Sequence, residues 1–308
     1  MTNAPSAVLD GIYGQPLDDL ATPPASAAQF SPLIPGSRAL EAEADGALAS
    51  MVLVAPPGTL ERRYILALAL RKLAPGAELI ALAPKDKGGA RLKAELGAMG
   101  CVVAEAARRH HRICTVTRPA ALVGLDATIA EGEARFLPAL GFTTQPGVFS
   151  WDRIDAGTAL LIGHLPRLAG RGADLGCGIG VLARAALASS AVSHLALVDL
   201  DRRALDAAKA NLGEDRVSRL WADLRQPQPD LKNLDFVVTN PPFHDGGAED
   251  KALGQTFVRR AADMLKNRGS LWLVANRHLP YEAVLAPLFK TVALKAETGG
   301  YKIYEATK

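Results

Sequence analysis

The chain has 308 residues, of which 49% are hydrophobic, 22% charged and only 5% aromatic, with a net charge of +3. That length allows two domains of ordinary size, each with its own core, and the balance describes a soluble, Ala- and Leu-rich globular α/β protein. No apolar run is long enough to span a membrane, the N-terminus lacks a basic region ahead of an apolar core, and three scattered cysteines are too few for a disulfide framework or a zinc site, so a cytoplasmic protein without a structural metal is expected.

Residues 1–46, with TPPASAAQFSPLIPG, are rich in Pro, Ala and Ser and are expected to form a loosely structured lead-in. From Met51 the pattern alternates. Met51 to Ala55 reads as a strand, Leu60 to Leu73 as a helix, Glu78 to Ala83 as a strand, Lys87 to Met99 as a helix, and Cys101 to Glu105 and Ile113 to Thr117 as two further strands. Such a succession predicts a parallel or mostly parallel sheet in a first domain spanning 1–140. The turn Pro56-Pro57-Gly58 stands where a nucleotide-binding fold carries a glycine-rich loop, yet it has one glycine and Pro57 lacks a backbone N–H, so this domain is expected to hold no nucleotide. Arg108, Arg109 and Arg112, with His110, His111 and Arg118, form a basic cluster that reads either as a phosphate-contacting surface or as a solvated loop beside a strand.

Lys+Arg and Asp+Glu number 14 each in residues 1–140 and 21 against 18 in 141–308, so the whole positive excess sits in the second half. That excess is compatible with a polyanionic partner and does not demand one. Residues 119–150 read as a connection. Beyond it, Ile154 to Leu165 has helical spacing, Gly172 to Leu175 is a strand, Val181 to Ala188 a helix, Leu195 to Val198 a strand, and Arg203 to Leu212 a helix. Val217 to Trp221 and Leu234 to Thr239 follow as strands, Gln255 to Leu265 as a helix, and Ser270 to Ala275 as a strand. Lys290 to Lys295 and Tyr301 to Ala306 close the chain as an antiparallel pair around Thr298-Gly299-Gly300.

Asp174-Leu175-Gly176-Cys177-Gly178-Ile179-Gly180 ends one strand and opens a helix. Gly176, Gly178 and Gly180 let the backbone turn tightly and approach a ligand, although the spacing is not that of the dinucleotide fingerprint. Asp174 in front of them would repel a pyrophosphate and accept from a cationic or amino-bearing ligand. The next strand ends at Asp199, placed to hold a ribose diol, with Asp201 as the N-cap of the following helix. A third ends near Asp223, placed to accept from an adenine amine.

The fourth strand end carries Thr239-Asn240-Pro241-Pro242-Phe243-His244-Asp245. Two prolines hold a stiff turn with no N–H and with free carbonyls. If the Asn240 amide oxygen and the Pro241 carbonyl each accept one N–H of an exocyclic amine, the amine is oriented and its developing positive charge favoured without a strong base. Phe243 would stack on an unstacked base, worth roughly 1–3 kcal/mol. His244 is a candidate contact to the nucleotide or, less simply, a proton acceptor. An isolated Asn-Pro-Pro-Phe could equally be a strand-ending turn with a core aromatic; three acids at three preceding strand ends give it company.

The motifs PGVFSWDRIDAG (146–157), DLGCGIG (174–180), TNPPFHDGG (239–247), VANRHLPY (274–281) and TGGYKIYEA (298–306) resemble the catalytic half of the bacterial small-subunit (16S) ribosomal RNA guanine-N2 methyltransferases, a class I S-adenosylmethionine-dependent family. LAPKDKGG (82–89) is similar to that family's N-terminal half. The resemblance implies tandem Rossmann-like methyltransferase folds, the first degenerate, and a catalytic domain over 141–308 with a seven-stranded, mostly parallel sheet ending in an antiparallel hairpin. It further implies S-adenosylmethionine held by Asp174, Gly176, Gly178, Gly180, Asp199 and Asp223, a guanine amine presented by Asn240, Pro241 and Phe243, and a segment with Phe149 and Ser150 over the cofactor. Pro242, His244, Arg108, Arg109 and Arg112 are the candidate substrate contacts, ribosomal RNA in the small subunit is the implied partner, and a monomer is expected. Trp151 departs from the family pattern. Relatives acting on protein glutamine or DNA adenine usually show N-P-P-Y or D-P-P-Y, so Phe243 favours guanine. Two other functions remain compatible: a methyltransferase for another amine (large-subunit ribosomal RNA guanine, transfer RNA or protein glutamine) and an RNA assembly factor that keeps the cofactor as a structural ligand.

Overall fold

The structure, a computed structural model, describes residues 9–213, 215–242, 244–245, 248–249 and 251–308; for 244–245, 248–249 and 251 it describes the backbone alone. The chain divides into two compact units, Met1–Ala134 with Gln145–Gly147, and Arg135–Thr144 with Val148–Lys308. Among the described residues no helix is long and apolar enough to cross a membrane.

The first unit is built on strands β1 (Leu9–Tyr13), β2 (Ala28–Gln29), β3 (Leu48–Val54), β4 (Leu73–Pro84), β5 (Ala104–Arg108) and β6 (His111–Thr117), in the sheet order β2-β1-β3-β4-β6-β5. Helices α1 (Thr59–Lys72), α2 (Leu92–Ala98) and α3 (Leu125–Gly132) complete it. The lead-in is not loose from residue 9 onward. Leu9–Tyr13 pairs in parallel with β3, and Phe30 and Leu40, both 1% exposed, enter the core beneath it. A five-residue strand whose sequence is LDGIY offers too little period-2 signal to stand out in a Pro- and Ala-rich stretch.

The sheet is parallel only from β2 to β4. β6 runs antiparallel to β4 and to β5, because Arg109 and His110, at φ 46° and 60°, make a two-residue hairpin turn of the kind that usually uses Gly or Asn. The strand read at Cys101 to Glu105 therefore starts at Ala104 and lies at the exposed edge, and the helix read at Lys87 to Met99 shortens to Leu92–Ala98 behind a single 3-10 turn, Gly89–Arg91. The connection read at 119–150 contains α3 and, in the second unit, a small hairpin of β7 (Arg135–Leu137) and β8 (Phe142–Thr144).

At the turn after β3, Arg62 of α1 is 1% exposed and its Nη1 donates to the Pro57 carbonyl at 2.7 Å. Its other nitrogens form a two-point pair with Glu95 of α2, at 2.8 and 2.7 Å. A buried arginine thus ties the turn after β3 to α2. Removing one partner of such a buried pair strands the other charge. Glu95→Ala is therefore expected to lower the stability of the first unit by about 3 kcal/mol, read as a fall in the midpoint of its denaturant unfolding.

The second unit continues with α4 (Ala156–Ile162), β9 (Gly170–Leu175), α5 (Val181–Leu187), β10 (Val192–Asp199), α6 (Arg202–Leu212), β11 (Val217–Trp221) and β12 (Leu234–Thr239). A two-stranded ladder of β13 (His244–Asp245) and β14 (Ala248–Glu249) leads to α7 (Lys251–Met264), β15 (Leu265–Asn276), α8 (Glu282–Leu285), β16 (Thr291–Thr298) and β17 (Tyr301–Thr307). The sheet has seven strands in the order β11-β10-β9-β12-β15-β17-β16. Pairing is parallel as far as β15, and β17 then enters antiparallel between β15 and β16. Gly299 and Gly300, at φ 59° and 84°, supply the left-handed pair of the β16–β17 turn, as the sequence leads one to expect.

Both faces of the central strands are buried. Ala196, Val198, Val237, Leu271 and Leu273 point into one layer, and Leu195, Leu197, Phe236, Val238, Trp272 and Val274 into the other. This is why these strands read as nearly unbroken apolar runs with no polar alternation.

Candidate active site

The order β11-β10-β9-β12 sets the carboxyl ends of four strands side by side, at a spacing of about 4.8 Å per strand. The connections after β9 and β10 step to one side of the sheet, and the connection after β11 returns to the other side of β9. The crevice at such a reversal is where open α/β sheets bind ligands. Here β9 delivers the glycine loop and β12 delivers Asn240, with Thr239 directly beside Leu175 and its Oγ1 donating to the Leu175 carbonyl at 2.7 Å.

Gly176, Gly178 and Gly180 all have left-handed backbones, at φ 70°, 52° and 89°. A Cβ at Gly176 would lie 3.1 Å from the Phe257 ring, and one at Gly180 3.3 Å from both Ala208 and Leu212. At Gly178 it would meet no protein atom within 4 Å. The middle glycine therefore borders open space.

Asp174 is fully buried between Leu197 and Val238 on the flanking strands, and neither carboxylate oxygen has a hydrogen-bond partner. Burial, and after it the charge of Asp199, raises its pKa to about 8, while the Ala183 N–H, near the carboxyl but outside hydrogen-bond geometry, acts the other way. Asp199 ends β10. Its Oδ2 accepts from the Gly178 N–H at 2.8 Å and its Oδ1 from the Asp201 N–H at 2.9 Å, and burial still lifts its pKa to about 6. Asp201 caps α6 as expected from its position, accepting from the Arg203 N–H at 2.9 Å.

Asp223 stands differently. Its carboxylate accepts from the backbone N–H of Arg225 at 2.9 Å and from the Arg225 Nε at 3.0 and 2.9 Å, closing its own turn after β11. It is not among the residues that line the cleft.

That cleft is lined by Phe149, Ser150, Arg153, Asp155, Thr158, Gly176 to Ile179, Val181, Leu182 and Asn240. Phe149 is 59% exposed, and Ser150 has a left-handed backbone at φ 51° with its Oγ donating to the Arg153 carbonyl at 2.8 Å. Pro241 is buried and Pro242 half-buried. Phe243 and the side chain of His244 lie outside the described residues. Trp151 packs beside Val148, Phe142 and Ile179, with the Arg135 guanidinium 5.5 Å from its ring centroid.

The arrangement of Asn240 was not foreseen. Its Nδ2 donates to Asp155 Oδ2 at 2.9 Å and to Thr158 Oγ1 at 2.8 Å, while Asp155 also caps α4 by accepting from the Thr158 N–H at 2.8 Å. An acid followed three residues later by a threonine at the start of a helix was visible in DAGT, yet it signals a cap; its reach to Asn240, more than eighty positions on, is tertiary.

The basic residues belong to the first unit. Arg108 and Arg109 sit at the tip of the β5–β6 hairpin, where Arg108 Nη1 donates to the Asp19 carbonyl at 2.5 Å and Arg109 Nε pairs with Asp19 Oδ2 at 2.7 Å. Arg112 is in β6 opposite Ala107. Arg118 is at the other end of β6, its Nε donating to the Leu70 carbonyl at 3.0 Å, so it leaves the cluster. A wider depression in this unit, among Asp45, Arg71, Arg118 and Asp126, has Arg71 paired with Asp126.

Residues 139–305 match the family described as methyltransferase small domain. The ribosomal RNA small subunit methyltransferase C of Shewanella loihica is 41% identical over 165 residues, covering 53% of this chain and 47% of that protein. Its counterpart in Shewanella oneidensis is 38% identical over 159 residues, covering 51% and 46%. The chain thus spans about half the length of these curated relatives. Among solved structures, the T. thermophilus 16S rRNA N2 G1207 methyltransferase (RsmC), in complex with AdoMet and guanosine, aligns with 92% of this chain and 78% of its own, at 26% identity and a TM-score of 0.72. With the family matched over more than half its residues, on a sheet of the order described above, the chain belongs to the methyltransferase small domain family.

Proposed function

We propose that the second unit binds S-adenosylmethionine and moves its methyl group to the exocyclic amine (N2) of a guanine in 16S ribosomal RNA. The observation that carries this reading is the orientation of Asn240, whose two amide hydrogens are taken by Asp155 and Thr158, leaving Oδ1 to accept beside the glycine loop.

The residues fit the cofactor. Three left-handed glycines leave the loop bare, and Asp174 holds beneath it a buried carboxyl without a hydrogen-bond partner, which a cationic ligand would draw to its charged form. Asp199, oriented by two backbone N–H groups, retains lone pairs for a ribose diol. Asp223 would serve an adenine amine only by sharing or releasing Arg225. When bound, S-adenosylmethionine supplies a methyl on a sulfonium, a leaving group that needs no acid.

On the acceptor side, Asn240 Oδ1 and the Pro241 carbonyl each take one N–H of the guanine amine, turning its lone pair toward the loop and favouring positive charge on it. Phe243 stacks on the base, which must be single-stranded or flipped out. The methylated amine sheds its proton to water, so His244 orders the loop or touches the nucleotide without acting as the base. Arg108 and Arg109 contact phosphate in exchange for their pairing with Asp19, and Arg112 contacts it from β6.

Gly178→Ala separates cofactor binding from folding. The left-handed backbone costs about 1 kcal/mol of stability, and the added methyl enters space bordered by no protein atom. Cofactor affinity is expected to fall about thirtyfold by calorimetry, an overpacking loss of about 2 kcal/mol, with a melting temperature close to wild type. Gly180→Ala, pressed against Ala208 and Leu212, is expected to show the larger melting shift.

The function itself is tested by transfer from labelled S-adenosylmethionine to small ribosomal subunits lacking the modification, beside naked ribosomal RNA and large subunits. Label on guanine N2 of small-subunit RNA is the expected result. Cofactor binding with no label on any ribosomal RNA would overturn the substrate assignment.

A further inference from the structure

We infer that Asp155 and Thr158 are positioning residues that lock the Asn240 amide into a purely accepting role, and so determine that the methyl acceptor at this site must be an N–H donor. The inference rests on the function proposed above for its substrate, but on hydrogen-bond geometry alone for its mechanism.

An asparagine amide has one accepting end and one donating end, and left to itself it offers either to a ligand. Two interactions remove that freedom here. Asp155 Oδ2, an acceptor with no hydrogen of its own, lies 2.9 Å from Nδ2, and Thr158 Oγ1 lies 2.8 Å from the same nitrogen. Reversing the amide would set its oxygen against the carboxylate, so the pair specifies the rotamer. Both N–H groups of Nδ2 are then occupied, and Oδ1 is the polar atom left for the cleft. A ring nitrogen with a lone pair or a carbonyl oxygen finds no donor at Asn240, whereas an amine does find an acceptor.

The support is itself held rigidly. Asp155 accepts the Thr158 N–H at 2.8 Å as the cap of α4, and Gly157, between them, lies so close to the Tyr301 ring that a Cβ there would be 2.8 Å from it. Asp155 also raises the Tyr301 pKa, after burial, which puts its charge toward that phenol. A carboxylate accepting from the amide nitrogen polarises the amide and strengthens Oδ1 as an acceptor. Asp155 therefore acts on the acceptor through Asn240, without touching it.

The discriminating change is Thr158→Val, which keeps the backbone N–H that Asp155 caps and removes only the hydroxyl acceptor. It is expected to lower kcat about tenfold while cofactor affinity stays within twofold, with Thr158→Ser restoring most of the rate. Asp155→Asn can keep an oxygen at the Oδ2 position and is expected to lower kcat less than Asp155→Ala. The side-chain amide of Asn240 is read directly by nitrogen–proton NMR on the substrate-free protein. In the wild type both Nδ2 hydrogens should exchange slowly, and in Thr158→Val one should become fast. Unchanged exchange in Thr158→Val, or a rate loss accounted for wholly by weaker cofactor binding, would overturn the inference. Should the wild type methylate a different acceptor, the NMR comparison still decides the positioning role, while the guanine assignment falls on its own.

Discussion

Asn240→Ala is expected to reduce methyl transfer by about 10²–10³ in single-turnover rate and to leave cofactor affinity within about twofold. The asymmetry follows from where the residue sits. Asn240 leaves β12 at the cleft wall with its nitrogen already committed to Asp155 and Thr158, so in the proposed reaction its oxygen would have one task, accepting from the acceptor amine. The bond it makes strengthens as the amine becomes cationic, which is the condition for lowering a barrier without tightening ground-state binding. Stability should fall by only about 1 kcal/mol, since Asp155 keeps the Thr158 N–H. Asn240→Asp is the sharper companion. It places a second carboxylate against Asp155, and like charges at that separation cannot both ionise easily. A rate loss smaller than tenfold for Asn240→Ala, with the cofactor bound normally, would mean that the Pro241 carbonyl and stacking orient the amine without it.

The parts of this site legible in the sequence are those in which local backbone and chemistry coincide. Gly176, Gly178 and Gly180 are glycines because the backbone is left-handed at each, and Gly299-Gly300 makes a hairpin for the same reason. The apolar runs of β10, β12 and β15 are strands because both their faces are buried. What escaped detection depends on partners far away in sequence. β1 is recognisable only once β3 pairs with it, and the Arg109-His110 turn carries neither Gly nor Asn to announce it. Asp155 looks like a cap and is one, and its second partner lies on another strand end. Asp223 shows the converse. Its place in the order of strand ends suggests a free carboxylate, but Arg225, two residues on, folds back and occupies it. Residue type and strand order thus locate a site, while the rotamers that decide which polar atoms are free are set by tertiary neighbours.

Asp174→Asn should make the free protein more stable and its cofactor binding weaker, a pair of opposite effects that ordinary destabilising substitutions do not produce. In the unfolded chain the Asp174 carboxyl ionises near 3.8, and in the folded protein near about 8, because burial and then the charge of Asp199 oppose its ionisation. Between those values the unfolded chain has released a proton that the folded protein still holds. Stability contributed at this group is therefore greatest below about pH 4, falls as pH rises, and levels off above about 8. Each pH unit in that window is worth up to about 1.4 kcal/mol, and relaxation around the carboxylate makes a total of a few kcal/mol the reasonable expectation. An asparagine has no such slope. Its advantage should be small near pH 4 and should widen towards pH 8, reaching a melting temperature roughly 5–10 °C above wild type. Cofactor affinity should move the other way, by about a hundredfold, because an amide cannot supply the negative charge that a cationic ligand would draw out of this buried acid. Melting curves from pH 4 to 9 beside calorimetric titrations decide the matter. If Asp174→Asn lowers both stability and affinity at every pH, Asp174 is a structural residue whose unpartnered oxygens serve the strand ends and not the ligand.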